Sequence, residues 1–211
     1  MNQAEQLADG IRQMGLAVTA DAQQQLLQYL SLLQKWNKVY NLTAVRDPQE
    51  MVTLHLLDSL SVLPYMHGPR VLDVGSGGGL PGIVLAICNP QLQVTTIDTV
   101  QKKAIFMRQV KGELGLDNLS VVHARVEEYQ PKLPYDQIIS RAFSEIALFL
   151  RLTKHLIAGG GEWLAMKGLV PTQELASLGV KPKAIQPLCV AGLDAERHLV
   201  IFDNVVLESK A

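Results

Sequence analysis

Val71-Leu-Asp-Val-Gly-Ser-Gly-Gly-Gly-Leu-Pro-Gly82 is the stretch that decides the fold. A β-branched strand runs into a glycine cluster and then into the apolar segment Ile83 to Ile87, the order of a βα turn that receives a cofactor. Glycines suit such a turn because its backbone passes through φ > 0 and comes within contact distance of a ligand that any Cβ would push away. The next strand, Val94-Thr-Thr-Ile-Asp98, ends in a carboxylate about 20 residues on, where such a fold presents an acid to ribose hydroxyls. A nucleoside cofactor is expected.

The glycines satisfy two patterns. Gly77-Gly-Gly79-Leu-Pro-Gly82 matches the dinucleotide pattern G-x-G-x-x-G, and Asp73-x-Gly75-x-Gly77-x-Gly79 matches the acidic-strand pattern of S-adenosylmethionine (SAM) enzymes. A dinucleotide site places its first glycine directly after the strand; that glycine is Gly75, and the sixth position counted from it is Leu80. The register favours SAM. A strand followed by glycines can also be no more than a tight connection to a helix. Five glycines in eight residues, with Asp73 before them and Asp98 after, argue for a ligand. Asp73 lies within an apolar strand, where an unpaired carboxylate is costly, so it is expected to accept hydrogen bonds from N–H groups of the loop.

The chain has 211 residues, of which 48% are hydrophobic, enough for a full core built as one domain plus an extension. Mean hydropathy is +0.14. The start, Met1-Asn-Gln-Ala-Glu-Gln, lacks a basic segment followed by an apolar run, and no apolar stretch reaches about 18 residues, so a soluble cytoplasmic protein without a membrane partner is expected. Cys88 and Cys189, far apart, read as small core residues in a helix and a strand, and the five histidines do not cluster at ligand spacing, so no metal is expected. The net charge of −1 gives no global sign of a nucleic-acid partner. Nothing resembles an obligate interface, and a monomer is expected.

Residues 1–66 read as a helical extension. Leu26, Leu30, Leu33 and Trp36 follow helical spacing between Asp21 and Val39, and Asp47-Pro48-Gln-Glu50 opens a helix to about Met66. Residues 67–211 read as the cofactor domain. Strands near 70–75, 94–98, 120–124, 135–140 and 161–167 alternate with helices near 82–88, 101–115, 144–157 and 171–178, which predicts a parallel sheet covered on both faces. Lys183 to Leu193 and Arg197 to Val206 are both strand-like and joined only by Asp194-Ala-Glu, so they must be antiparallel. A Rossmann-like α/β sheet that is mostly parallel and ends in an antiparallel hairpin is the class I SAM-dependent methyltransferase fold; a dinucleotide fold would continue with crossover helices.

With these residues in view, the chain resembles the glucose-inhibited division protein B family, bacterial 16S rRNA guanine-N7 methyltransferases acting on guanine 527. The segments carrying the resemblance are Trp36-Asn-Lys-Val-Tyr-Asn-Leu-Thr43, His55-Leu-Leu-Asp-Ser59, Asp73 to Gly82, Arg125-Val-Glu127, Ile139-Ser-Arg-Ala142, Lys167-Gly168 and Glu196-Arg-His-Leu199. The resemblance implies that Gly75 and Leu80 line the SAM site, that Val126 and Glu127 meet its adenosine end, and that Arg141 reaches the cofactor. With them we count Asp73, Gly77, Gly79 and Asp98 as cofactor-binding. Val126 follows a strand end, where a backbone N–H can read adenine, and Glu127 can accept from its exocyclic amine; the alternative for Glu127 is a solvated carboxylate beside Glu128. Arg141 ends a strand at the ligand-binding edge; its alternative is a surface ion pair with Glu145. One departure is Gln101, where family members often carry glycine.

What is missing narrows the acceptor. Methylation at pyrimidine C5 needs an exposed cysteine nucleophile, for which Cys88 and Cys189 are poorly placed. Amino-group methylation usually shows an Asn-Pro-Pro-aromatic loop after the fourth strand, which here ends Ile-Ser-Arg-Ala. Guanine N7 carries a lone pair and no proton, so its methylation needs alignment and no general base. Arg141 is assigned to positioning cofactor or guanine. The RNA partner, 16S rRNA or the small ribosomal subunit, is expected to meet Lys102, Lys103, Arg125 and Lys167, with Arg108, Lys111, Lys35, Lys38 and Arg46 nearby in sequence. Trp36 reads as core, Asn37, Asn41 and Thr43 as a roof over the site, and His55 with Asp58 as either a hydrogen-bonded pair or catalytic groups. Other readings are a methyltransferase with a small-molecule or protein acceptor, a non-catalytic SAM-binding assembly factor, and a NAD oxidoreductase.

Overall fold

The computed structural model describes residues 2–141 and 143–203. Helix α1 (Gln3–Gln13) starts with a reciprocal capping box between Asn2 and Glu5. Helix α2 (Ala20–Tyr40) is capped by the Thr19 side chain, which accepts from the Ala22 N–H, and it buries Leu26, Leu30 and Leu33 along one stripe. Asn41 ends it in the left-handed conformation at φ 49, which asparagine tolerates better than most residues.

The expected helix from Asp47 is interrupted. Asp47 accepts from the N–H groups of Gln49 and Glu50 and opens α3 (Pro48–Met51), the backbone continues as a π-helical segment, Val52–Leu57, and α4 (Asp58–Leu60) follows. A π segment is a local departure that apolar periodicity does not encode, and it recurs at functional sites.

From there the chain alternates: β1 (Arg70–Val74), α5 (Gly82–Cys88), β2 (Gln93–Asp98), α6 (Gln101–Leu114), β3 (Leu119–His123), β4 (Tyr135–Ser140), α7 (Ile146–Thr153), β5 (Ile157–Lys167), α8 (Thr172–Leu178), β6 (Ala184–Pro187) and β7 (His198–Asp203). The sheet order is β3-β2-β1-β4-β5-β7-β6. The first five strands pair in parallel, and β7 is antiparallel to both β5 and β6. This is the expected mostly parallel α/β sheet closed by a hairpin.

Two details differ from the sequence reading. Strand β6 stops at Pro187, which has no N–H for the ladder, so residues 188–197 form a longer connection than Asp194-Ala-Glu. Cys189 falls in that connection and is exposed, while Cys88 is half-buried; Cys189 is therefore not a core residue. The end of the expected last strand, 204–206, lies outside the described residues.

The helical extension is built into the sheet. Leu7, Leu26 and Leu56 share one buried cluster with Val71, Ile83 and Phe106 on one face, and Leu72, Ile138, Phe149 and Trp163 form the cluster on the other. At the edge where the strands begin, the buried Gln137 accepts from the N–H of His67 and donates to the Tyr65 carbonyl, fastening the connection into β1. The opposite edge is left for ligands.

Candidate active site

Strands β1, β2, β4 and β5 bring Asp73, Asp98, Arg141 and Lys167 to the edge formed by their carboxyl ends, where open α/β sheets bind ligands. The loop after β1 passes through the left-handed region at Gly75 (φ 69), Gly77 (φ 59) and Gly79 (φ 96), so β-carbon-free residues are required there. Two carboxylates hold it. Asp73 Oδ2 accepts from the Gly82 N–H at 2.8 Å, and Asp98 accepts from Gly77 N–H at 2.8 Å and from Val100 N–H at 2.9 Å.

Asp73 is wholly buried. Burial pushes its carboxyl up to about 7, with the Gly82 N–H pulling the other way. Gly82 is glycine for proximity: a Cβ there would stand 2.7 Å from Asp73 Oδ2 and 2.7 Å from Thr96 Cγ2. From the far side, the fully buried Tyr29 of α2 donates its hydroxyl to the Gly78 carbonyl at 2.7 Å. The sequence reading missed Tyr29 within an apolar stripe; its signal was a phenol among leucines, whose hydroxyl needs a partner when buried.

Three hollows run in series along this edge. The first, about 480 Å³, combines the Asp98 carboxylate, Lys103 and Glu127 with apolar walls from Ile97, Val126, Leu148 and Leu152. The second, about 150 Å³, lies between the glycine loop and Leu33, Leu42 and Thr43, and it shares Gly75 and Lys103 with the first. The third, about 440 Å³, is lined by Leu54, His55, Asp58, Lys167 and Arg197 and shares Arg141 with the second. Leu80 borders the second hollow.

Glu127 follows Val126 in a short 3-10 turn after β3. It faces the first hollow and is gripped by Arg125 at 2.6 and 2.8 Å. Arg125 is thus placed beside the cleft with its guanidinium on Glu127. Lys103 lies 4.0 Å from Asp98, and Lys102 is exposed on the outer side of α6.

Arg141 reaches across to the helical extension. Its Nη1 donates to the Leu54 carbonyl at 2.9 Å and to Asp58 Oδ2 at 3.2 Å, so Asp58, and not Glu145, is its partner. The other oxygen of Asp58 accepts from Arg197 Nε at 2.9 Å. The hydrogen-bonded His55–Asp58 pair, one of the two sequence alternatives for these residues, is not formed. Asp58 is committed to two guanidiniums, and His55 Nε2 meets Thr43 Oγ1 at 2.9 Å. Burial, reinforced by the Arg141 guanidinium, lowers the His55 pKa to about 4, so it is neutral at pH 7.

The segment after Trp36 brings Leu42 and Thr43, but not Asn37 or Asn41, to the wall of the second hollow. Buried Asn37 accepts from the Thr43 N–H at 2.9 Å, which places Thr43 over the second hollow, and Arg46 ties Asn41 and the Asn37 carbonyl together. Trp36 packs on Phe106 of α6 with centroids 5.5 Å apart. Lys167 is turned inward. Its ammonium donates to the carbonyls of Phe143 (3.2 Å) and Ser144 (2.9 Å) and lies 3.6 Å from Glu174, with 13% of the side chain exposed. It fastens the wall between the first and third hollows.

The GidB family profile, described as rRNA small subunit methyltransferase G, matches residues 22–200. The chain belongs to this family. A relative from Methylobacillus flagellatus named ribosomal RNA small subunit methyltransferase G is 65% identical over 198 residues, covering 94% of this chain and 97% of the relative. Among solved structures, a SAM-dependent methyltransferase from Aquifex aeolicus superposes with a TM-score of 0.54 at 21% identity, covering 74% of this chain and 93% of that one. Another, from Thiobacillus denitrificans in complex with S-adenosyl-L-homocysteine, gives 0.50 at 19% identity over 63% and 66% of the two chains. These likenesses are to the fold.

The cofactor of this methyltransferase G family member is SAM, and the residues present suit it. A carboxylate at the end of β2 matches ribose hydroxyls, an apolar slot matches a purine ring, and glycines at positive φ leave room for close backbone approach.

Proposed function

We propose that this chain transfers a methyl group from SAM to N7 of a guanine in 16S rRNA, guanine 527 by family resemblance. The observation that carries the reading is the chemistry of the third hollow. Asp58 is the one carboxylate among its described lining residues, and both of its oxygens are committed to Arg141 and Arg197. His55, the other candidate base, has a pKa near 4 and is a poor proton acceptor. A site without an available base suits an acceptor that has a lone pair and no proton to lose, and guanine N7 is one.

In this reading Asp98 accepts from ribose hydroxyls, and Val126 and Glu127 meet the adenine in the first hollow. Asp73 acts through the loop that it braces, while Gly75, Gly77, Gly79 and Leu80 receive the methionine portion. Bound SAM supplies an electrophilic methyl carried on a sulfonium. Arg141 stands between the cofactor and acceptor hollows and positions one against the other, a source of rate enhancement that can reach about 7–11 kcal/mol. Guanidinium donors in the third hollow match the guanine O6 next to N7. His55, tied to Thr43, fixes the roof of the site.

N7 faces the deep, narrow major groove of A-form RNA, so the guanine has to be splayed out or sit in a loop. RNA also fits a cytoplasmic enzyme; no helix among the described residues is long and apolar enough to cross a membrane. Transfer of labelled methyl from SAM to total RNA, to a metabolite pool and to protein tests the acceptor class. Label confined to small-subunit RNA is expected; label in metabolites or protein with none in RNA would replace this reading.

A further inference from the structure

The outer face where α2 and α6 pack against each other lies beside the site described above, and it combines two surface properties. It is free of acid: neither residues 31–46 nor residues 99–112 contain Asp or Glu, although the whole chain carries net charge −1. Lys35 of α2 and Lys102 and Arg108 of α6 are all exposed. Lys102, Ile105 and Arg108, three residues apart, run along one side of α6.

The same face exposes apolar side chains. Val39 is 70% exposed, Tyr40 43% and Ile105 46%, three of the six large apolar side chains most exposed among the described residues. The Tyr40 ring is backed by Trp36 with centroids 5.1 Å apart, and Trp36 rests on Phe106, the neighbour of Ile105. The ring is therefore held in place with one side toward solvent. Asn41 and Thr43 follow directly, and Thr43 and Lys103 line the second hollow, so the face leads into the active site.

We propose that this face is a docking surface for unpaired RNA: bases pack on Tyr40 and Ile105 while Lys35, Lys102 and Arg108 neutralise the adjoining phosphates. The assignment rests on the reading that the substrate is RNA. Charge complementarity selects the occupant, because an acid-free basic rim around an aromatic platform is how single strands are held without sequence readout.

The test uses the full chain with Tyr40→Ser and Ile105→Ser, and separately with Lys35→Gln and Lys102→Gln. These are surface changes, and melting temperature and SAM affinity should equal those of the wild type. KM for naked 16S RNA, and the Kd of a labelled single-stranded RNA oligonucleotide measured directly, should each rise about five- to tenfold with Tyr40→Ser and Ile105→Ser combined. The lysine loss should shrink as salt is raised, and the Tyr40 loss should persist. Unchanged Kd and KM on RNA would overturn the proposal. So would a loss seen only on assembled small subunits, which would assign the face to a ribosomal protein. A wild type that binds the oligonucleotide through this face yet methylates no RNA would remove the functional reading and leave the surface standing.

Discussion

Asp58 Oδ2 stands 3.2 Å from Arg141 Nη1, joining residues 83 positions apart, and the second oxygen of Asp58 takes Arg197, 139 positions along the chain from Asp58. One carboxylate, 4% exposed, thus links the helical extension, the end of β4 and the connection into β7. Two guanidiniums around one carboxylate leave a net positive hollow, suited to an RNA guanine and its phosphates.

Asp58→Asn keeps the shape and removes the charge, leaving two partly buried guanidiniums facing each other. Breaking such a pair by deleting one partner costs up to about 3–5 kcal/mol. A stability loss in that range by urea unfolding is expected, with methyl transfer falling further than SAM affinity. Equal stability in the variant would contradict the ion-pair geometry.

Asp73 makes stability depend on pH in an unusual direction for a carboxylate. Its folded-state pKa, about 7, lies above the ordinary 3.8, so the folded chain holds the proton more tightly than the unfolded chain. Its contribution is fully present below about pH 4 and is lost as pH rises through 7. Wild type should therefore lose more melting temperature between pH 5 and pH 8 than Asp73→Asn does. Parallel curves for the two proteins would show that Asp73 does not titrate in this range.

Gly82→Ala forces a Cβ to within 2.7 Å of Asp73 Oδ2 and Thr96 Cγ2. Overpacking of this kind costs about 1–3 kcal/mol, and the carboxylate that would have to move also holds the loop. Calorimetric titration should show weaker SAM binding together with the stability loss. Gly112→Ala, where a Cβ meets nothing within 4 Å, is the control and should leave SAM binding unchanged.

The glycine-loop half of the candidate site was legible because its determinants are local. Asp73, Gly75 to Gly82 and Asp98 lie on one strand, one turn and the next strand, and the parallel pairing of β1 with β2 follows from their order. The half around Asp58 was not, since Asp58, Arg141 and Arg197 meet only once the sheet is assembled. The sequence offered Glu145 as an alternative partner for Arg141, and His55 as one for Asp58, because local spacing is what a single chain displays. The π segment moved His55 and Asp58 away from the helical register on which that pairing depended. Lys167 looked like an RNA contact because its charge is visible in sequence, and the Phe143 and Ser144 carbonyls that it holds are not. The hairpin was read correctly in direction and too tightly in length, since the break at Pro187 acts against the strand-like composition that follows it.

Mapping the methylated atom decides whether guanine N7 is the acceptor. The enzyme is incubated with labelled SAM and 16S RNA or small subunits lacking the modification, and the RNA is treated with chemistry that cleaves at N7-methylguanine. One cleavage site, at guanine 527, is expected to carry the label and to be lost with Arg141→Ala while SAM still binds. Label retained on uncleaved RNA would place the methyl on another atom and contradict an acceptor hollow that works without a base.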